Sequence, residues 1–220
     1  MITEIPLFPL HTVLFPETPV YLHIFEPRYK IMLRRCLAKE EPFGVVLIQQ
    51  GQEAFGPVPK VYNVGCTAHI VQVEPSSTIS YNLTALGKQR FRVLELKKDR
   101  PYMIGTVETY DIEAAFANPI HQKINNLNRL IKDYLERMPK LDLGTENMAE
   151  LSLPGNPISL VHMAASLLQL PGYEKQHLLE AQSITELAIA VDRLYRREIS
   201  VIDQLLEITD MDARRAAWLN

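Results

Sequence analysis

Short runs of alternating or β-branched hydrophobic residues fill the first half of the chain. Val20, Leu22 and Ile24, for example, alternate with more polar neighbours, which is the period-two pattern of a strand with one buried face. The connections between such runs are too short for crossover helices, so we expect mostly antiparallel pairing in a β-barrel or sandwich. The runs predict seven strands, near residues 2–7, 19–25, 43–50, 61–74, 78–86, 89–97 and 102–111.

One helix interrupts this β pattern. Pro27 suits the first position of a helix, because its fixed φ angle is helical and it has no amide hydrogen to leave unpaired. After it, Tyr29, Met32 and Cys36 recur at helical spacing. We therefore predict an amphipathic helix directly after Pro27.

From residue 116 the hydrophobic spacing changes to three or four residues, which is typical of helices. A long helix is predicted between Pro119 and Pro139, and a second one begins where Asn156 caps the chain before Pro157. A short helix is predicted near residues 174–181.

The last predicted helix is the longest. Ser183 and Glu186 have the spacing of a capping box, in which each side chain binds a backbone amide of the other residue. Leu187, Val191 and Leu194 then share one face of the helix that follows.

Composition also changes near the middle of the chain. Residues 1–115 hold 10 of the 15 prolines and 6 of the 9 glycines. We therefore predict an α+β protein with a β lobe at 1–115 and an α-helical lobe at 116–220, and a flexible loop near 139–155.

The overall composition is that of a folded protein without a large charge of either sign. The 220 residues are 47% hydrophobic and carry a formal net charge of −3, so no general positive field attracts nucleic acid or anionic lipid. Two cysteines are too few for a disulfide framework and favour a reducing compartment. Prolines divide the uncharged stretch 151–173, and the first residues do not resemble a signal peptide, so we expect a cytoplasmic protein without membrane contact.

The residue patterns of common enzymes are absent from the sequence. Gly87-Lys88 lacks the upstream glycine and the following Ser or Thr of a phosphate-binding loop. There is no Gly-x-Ser-x-Gly motif, and the six histidines do not have the spacing of metal ligands. We expect no catalytic residue, no cofactor and no metal.

One basic cluster leaves an alternative open. Strand alternation predicts Lys88, Arg90 and Arg92 on one face of a strand, with Phe91 on the other face. These three side chains are the candidate site of a nucleic-acid-binding protein. The acidic net charge of the whole chain argues against this function.

Three motifs near the amino terminus resemble one family. The segments 5–10 (IPLFPL), 13–16 (VLFP) and 23–29 (HIFEPRY) are similar to the amino-terminal, substrate-recognition domain of the ATP-dependent Lon protease. One departure is Glu17-Thr18, where the family has a glycine after Phe15-Pro16. Further matching segments extend the resemblance over almost the whole chain: 43–48, 64–68, 87–93, 101–102 and 175–180.

The resemblance implies a PUA-like β lobe, with antiparallel strands closed into a barrel, followed by a helical bundle. It also implies a non-enzymatic module that binds exposed apolar or unfolded polypeptide segments, or that acts as an adaptor in protein quality control. The 220 residues contain neither the ATPase nor the Ser-Lys peptidase module of Lon. The expected partner is polypeptide, with a separate protease or chaperone as a further candidate partner.

Binding of apolar polypeptide requires exposed aromatic side chains, since apolar surface patches mark contact sites. Large aromatic residues lie in the core by default, and this applies to Phe8, Phe15, Phe25 and Tyr29. Glu26 and Arg28 flank Pro27 and are predicted to form a structural ion pair. The candidate contact residues are Tyr21, Phe25, Phe55, Tyr81 and Tyr102.

Overall fold

The computed structural model describes residues 1–53, 58–77, 79–97, 100–113, 119–138 and 152–218. The predicted loop near 139–155 lies mostly outside these ranges. The elements follow the predicted order, strands first and helices after. They are β1 (Ile2–Leu10), β2 (Pro19–Ile24), α1 (Pro27–Lys39), β3 (Phe43–Gln50), β4 (Lys60–Ser77), β5 (Ser80–Lys97), β6 (Met103–Tyr110), α2 (Pro119–Arg137), α3 (Pro157–Leu167), α4 (Gly172–Leu179) and α5 (Ile184–Trp218).

The strands form one six-stranded mixed sheet of order β2-β5-β4-β3-β1-β6, and β6 also pairs with β5. β1 runs parallel to β3, with Leu7 opposite Gly44, and antiparallel to β6, with Ile2 opposite Glu108. This corrects the prediction of a closed antiparallel barrel, but the other five strand pairings of the described residues are antiparallel, as predicted. The connection from β1 to β3 does contain a helix, α1, and this crossover permits the parallel pairing.

A second correction concerns the fifth and sixth predicted strands, 78–86 and 89–97, because residues 80–97 form the single strand β5. Gly87 lies inside that strand and is a point of close backbone approach. A Cβ atom added there would lie 2.1 Å from the Phe15 carbonyl oxygen. The amide of Glu17 donates to the Gly87 carbonyl at 2.9 Å. Glu17 has φ of 60°, in the left-handed region that glycine adopts more easily than other residues. The resemblance implies a glycine close to this position.

The main core lies between the sheet and α1. Phe8, Tyr29, Met32, Cys36 and Phe43 are all buried in it, as expected for large apolar side chains. A second cluster on the sheet includes Ile5, Leu7, Phe91 and Val107. Helix α1 is therefore amphipathic as predicted.

The chain divides into two compact units. The first comprises 1–113 and 165–182, and the second comprises 114–164 and 183–220. The first unit contains the sheet and α4, whose Gln176 donates from Nε2 to the Val64 carbonyl of β4 at 3.0 Å. The predicted division at residue 115 stays a prediction, and 165–182 is the helical segment that the structure groups with the strands.

The second unit contains α2 and α5, and its helix starts follow the predicted caps. The Glu186 amide donates to Ser183 Oγ at 3.2 Å, and the Ile158 amide donates to Asn156 Oδ1 at 2.9 Å. Tyr195 is buried and donates its hydroxyl to the Ala164 carbonyl at 2.9 Å. No helix in the described part of the chain combines the length and apolar character needed to cross a membrane.

Candidate functional site

An open cleft of about 230 Å³ lies in the first unit, beside β2. The end of β1, strand β2 and the start of α1 supply most of its wall. The lining residues are Phe8, Leu10, Tyr21, Leu22, His23, Phe25, Glu26, Tyr29 and Glu53. Six of these nine side chains are hydrophobic, and none belongs to Lys or Arg.

Two stacked aromatic rings form the inner wall of the cleft. The rings of Phe8 and Tyr29 are nearly parallel, at 12°, with centroids 4.0 Å apart, and both residues are buried. Burial raises the pKa of Tyr29 to about 12, because an ionised phenol would lose its hydration there. This wall is therefore uncharged at neutral pH.

The rim of the cleft is aromatic and open to solvent. Tyr21 is 75% exposed and Phe25 is 42% exposed. His23 lies on the same strand face, with its ring centroid 6.0 Å from that of Phe25 and its Nδ1 2.9 Å from Asn82 Oδ1 on β5. The interaction with Asn82 limits the motion of the His23 ring at the rim.

The acidic end of the cleft is held by Arg28. Its Nε lies 3.1 Å from Glu26 Oε2, which confirms the predicted ion pair, and its Nη2 donates to the Glu53 carbonyl at 2.8 Å. The Glu53 carboxylate accepts the backbone amide of His11. Within the described residues, the Glu53 side chain has no ion-pair partner, and this end of the cleft has two carboxylates, of Glu26 and Glu53, beside the guanidinium of Arg28.

The structure places the five aromatic candidates in different environments. Tyr21 and Phe25 lie together on the rim of the cleft. Tyr81 is half-buried against the main core, and Phe55 falls outside the described residues. Tyr102 is only 4% exposed and belongs to the core, which corrects the expectation that its ring is a surface contact.

The predicted basic strand face is not a continuous surface. Lys88 and Arg92 are exposed, but Arg90 is only 3% exposed. Its Nη1 donates to the carbonyls of Leu179 at 3.0 Å and Ala181 at 2.5 Å, and burial lowers the pKa of the guanidinium. The end of α4 and the residues directly after it cover this position, so Arg90 is unavailable to a phosphate group.

The two cysteines are buried, as predicted for Cys36, and neither has the surroundings of a nucleophile. Burial raises the pKa of each thiol, Cys36 and Cys66, to about 12. Among the residues that the structure describes, no three His, Cys, Asp or Glu side chains are grouped so that they could hold a metal ion.

Sequence reasoning did not single out His23 or Glu53 as members of the site. His23 had a usable signal, because strand alternation places it on the same face as Tyr21. Glu53 had none, since it follows β3 in an irregular segment and reaches the cleft through tertiary structure alone.

Two Lon proteases are similar in sequence to almost the whole of this chain. The chain is 25% identical over 201 residues to a Lon protease of Anaeromyxobacter dehalogenans and 26% identical over 217 residues to a Lon protease of Syntrophus aciditrophicus. These alignments cover 90% and 96% of this chain but only 24% and 26% of the relatives. The chain thus spans about a quarter of the length of the relatives that it matches.

Solved structures show the same fold. A Lon N-terminal domain protein from Xanthomonas campestris has a TM-score of 0.61 at 28% identity, over 83% of this chain and 93% of that one. The N-terminal domain of a Mycobacterium avium complex Lon protease has a TM-score of 0.63 at 16% identity, over 88% of this chain and 98% of that one. The sequence profile of the ATP-dependent protease La (LON) substrate-binding domain matches residues 4–194. Because that match spans most of the 220 residues, the chain belongs to the Lon substrate-binding domain family.

Proposed function

We propose that this protein is a non-enzymatic binding module that takes up exposed apolar segments of unfolded polypeptides in the cleft beside β2. The observation that carries the proposal is the pair of exposed rings, Tyr21 and Phe25, on the rim of a cleft with an apolar inner wall. Burying such rings against a ligand is favourable, because it removes apolar surface from water.

Membership of the Lon substrate-binding domain family supports a role in substrate recognition. We propose the more specific role of an adaptor in protein quality control, which brings unfolded polypeptides to a separate protease or chaperone. The chain needs no catalytic group for this role, only a surface that distinguishes unfolded from folded polypeptides. Folded proteins bury most of their large apolar side chains, so a cleft with an aromatic rim makes this distinction.

The nucleic-acid alternative is not favoured. It depended on three basic side chains on one exposed strand face, and Arg90 is instead buried against the Leu179 and Ala181 carbonyls. Lys88 and Arg92 alone give little phosphate affinity in a chain with a net charge of −3.

The test is binding of a reduced and carboxymethylated protein, which stays unfolded, to the full chain. We expect Tyr21→Ser and Phe25→Ser each to weaken binding, and Tyr173→Ser to leave it unchanged. Tyr173 is a matched control, because it is an exposed aromatic residue in the same unit but does not line the cleft.

Salt separates the two functions. Binding through apolar contact changes little between about 50 and 200 mM salt, whereas binding led by phosphate contacts to three basic side chains falls roughly 20- to 40-fold. Equal binding by the Tyr21, Phe25 and Tyr173 variants would contradict the proposal. RNA binding without measurable polypeptide binding would favour the alternative.

A further inference from the structure

The cleft runs along the edge of β2 and not across a face of the sheet. Successive side chains of a strand point to opposite faces, so a cleft on one face contacts every second residue. This cleft is lined by Tyr21, Leu22 and His23 in succession. It therefore meets the side of the strand, where the side chains of both faces are within reach.

This edge of β2 has no strand partner among the described residues. β2 is the terminal strand of the sheet and pairs only with β5, in the register that places Pro19 opposite Leu86 and Ile24 opposite Tyr81. The edge of β2 that faces away from β5 is the edge beside the cleft.

The register also shows which backbone groups point into the cleft. The Gly87 amide donates to the Thr18 carbonyl at 2.9 Å, which makes this an inter-strand hydrogen bond at the start of the ladder. Along an antiparallel strand, residues that form backbone hydrogen bonds with the partner strand alternate with residues that do not. Val20, two residues after Thr18, therefore also forms backbone hydrogen bonds with β5, whereas Tyr21 and His23 do not. The N–H and C=O groups of Tyr21 and His23 therefore point away from β5 and towards the cleft.

The β2 edge also lacks the usual protection against strand addition. Proteins commonly protect free sheet edges with Lys or other charged side chains. The sequence of β2, PVYLHI, contains no charged residue, and its only proline is at its first position, before the two outward-facing amides. Such an edge accepts another strand readily.

The charge of the cleft indicates which peptide fits. Glu53 lines the cleft and, within the described ranges, has no cationic partner, while Glu26 is already paired with Arg28. Two carboxylates, of Glu26 and Glu53, thus lie beside the one guanidinium of Arg28, so an entering Lys or Arg side chain is attracted and an entering Asp or Glu is repelled.

We propose that a segment of about six residues, in which apolar residues alternate with Lys or Arg, binds as an added strand on β2. This inference rests on the proposed function and specifies its binding mode and ligand. Backbone hydrogen bonds from Tyr21 and His23 give affinity without a required sequence, as in other cases of strand addition. The apolar side chains contact the aromatic rim, and the cationic side chain contacts Glu53.

The decisive comparison uses two substitutions of one residue. His23→Ala removes the ring and keeps the outward amide, whereas His23→Pro removes both and leaves the ladder with β5 intact. The probe is a fluorescent ten-residue peptide of alternating valine and lysine. Both variants lack the ring, so we expect the proline variant to bind the peptide about tenfold more weakly than the alanine variant, because only the proline variant also lacks the outward amide.

A second measurement needs no variant and therefore does not depend on the folding of His23→Pro. The same peptide with its six central amides N-methylated keeps its side chains but cannot donate backbone hydrogen bonds, and we expect it to lose binding to the unmodified chain. A valine–glutamate peptide should bind about threefold more weakly than the lysine peptide, since exposed ion pairs contribute little. Glu53→Gln, which keeps the acceptor for the His11 amide, should remove that difference.

The outcomes separate this inference from the proposed function. Equal binding of the N-methylated and unmethylated peptides, or of the His23→Ala and His23→Pro variants, overturns strand addition. If Tyr21→Ser and Phe25→Ser still weaken the binding of unfolded protein in that case, the proposed function stands without it. Absence of any peptide binding by the unmodified chain also overturns the inference.

Discussion

Arg90 Nη1 lies 3.0 Å from the carbonyl oxygen of Leu179, a residue 89 positions later in the chain. The same atom also donates to Ala181, and the guanidinium carbon lies 4.8 Å from the centroid of the Tyr110 ring. A buried guanidinium is stable only where such acceptors replace its hydration. Arg90 thus fixes the end of α4 and the residues directly after it to strand β5, within the unit that contains the cleft.

Removing this side chain should destabilise the fold. We expect Arg90→Ala to lower the free energy of unfolding by about 3 kcal/mol, because two buried carbonyls lose a charged donor. Arg92→Ala is the control, since Arg92 is exposed, and it should change this free energy by no more than about 0.5 kcal/mol. Urea unfolding followed by circular dichroism measures both. Equal effects of the two substitutions would show that the contacts of Arg90 contribute nothing measurable.

Gly87 should not tolerate a side chain. The Cβ atom of alanine would lie 2.1 Å from the Phe15 carbonyl oxygen, so the backbone of β5 or of the 15–18 segment must move. We expect Gly87→Ala to lower the midpoint of thermal unfolding markedly, with a loss of about 1–3 kcal/mol or more. Gly155→Ala should have little effect, because nothing lies within 4 Å of a Cβ there. A neutral Gly87→Ala variant would contradict the observed approach.

The two thiols should be unreactive in the folded protein. Because burial raises the pKa of Cys36 and Cys66 to about 12, almost no thiolate is present at pH 8. We expect Ellman's reagent to detect no thiol in the native chain and two after unfolding in guanidinium. The folded thiols also keep their protons to higher pH than unfolded ones, so stability falls as pH rises from 9 towards 12. Rapid labelling of the native chain would contradict this prediction.

The 220-residue chain should have neither ATPase nor peptidase activity. The sequence contains no phosphate-binding loop and no Ser-Lys peptidase module, and the family match is to the substrate-binding domain. We expect purified protein to release no phosphate from ATP and to leave casein intact with ATP present. Degradation of casein that persists after contaminating proteases have been removed would overturn this expectation.

Local signals in the sequence predicted the helix starts well. Pro27, Asn156 and Ser183 each act within three or four residues of the backbone amides that they affect, and the structure has helices beginning beside all three. Such signals depend on nearby residues only, so no knowledge of the fold is needed to interpret them.

The parallel pairing of β1 and β3 was not predictable from the same kind of signal. Both β2 and α1 lie between these strands in sequence, and β2 pairs with β5 at the other end of the sheet order. Strand periodicity says which face is buried but not which strand is the neighbour. Tertiary packing decides the neighbour.

The candidate site shows the same limit. Alternation correctly placed Val20 and Ile24 in the core and left Tyr21 and His23 outside it. It failed for Arg90 because both faces of β5 are covered there, one by the core around Phe91 and the other by the segment 179–181. The segment 179–181 is distant from Arg90 in the sequence, so the alternation of residues within β5 does not indicate that it covers this face.

The pairing of β1 with β6 has a consequence for synthesis on the ribosome. Ile2 is made before its partner Glu108, which follows about 5 to 20 seconds later at ordinary elongation rates of roughly 5–20 residues per second. Until then the nascent β1 has an open edge and is available to chaperones or to other nascent chains. Arg90 lacks its two carbonyl acceptors for longer still, until residues 179–181 have left the exit tunnel. A chain whose translation stops before that point carries an unpaired guanidinium where the finished protein has a buried contact, and we expect such a fragment to be degraded.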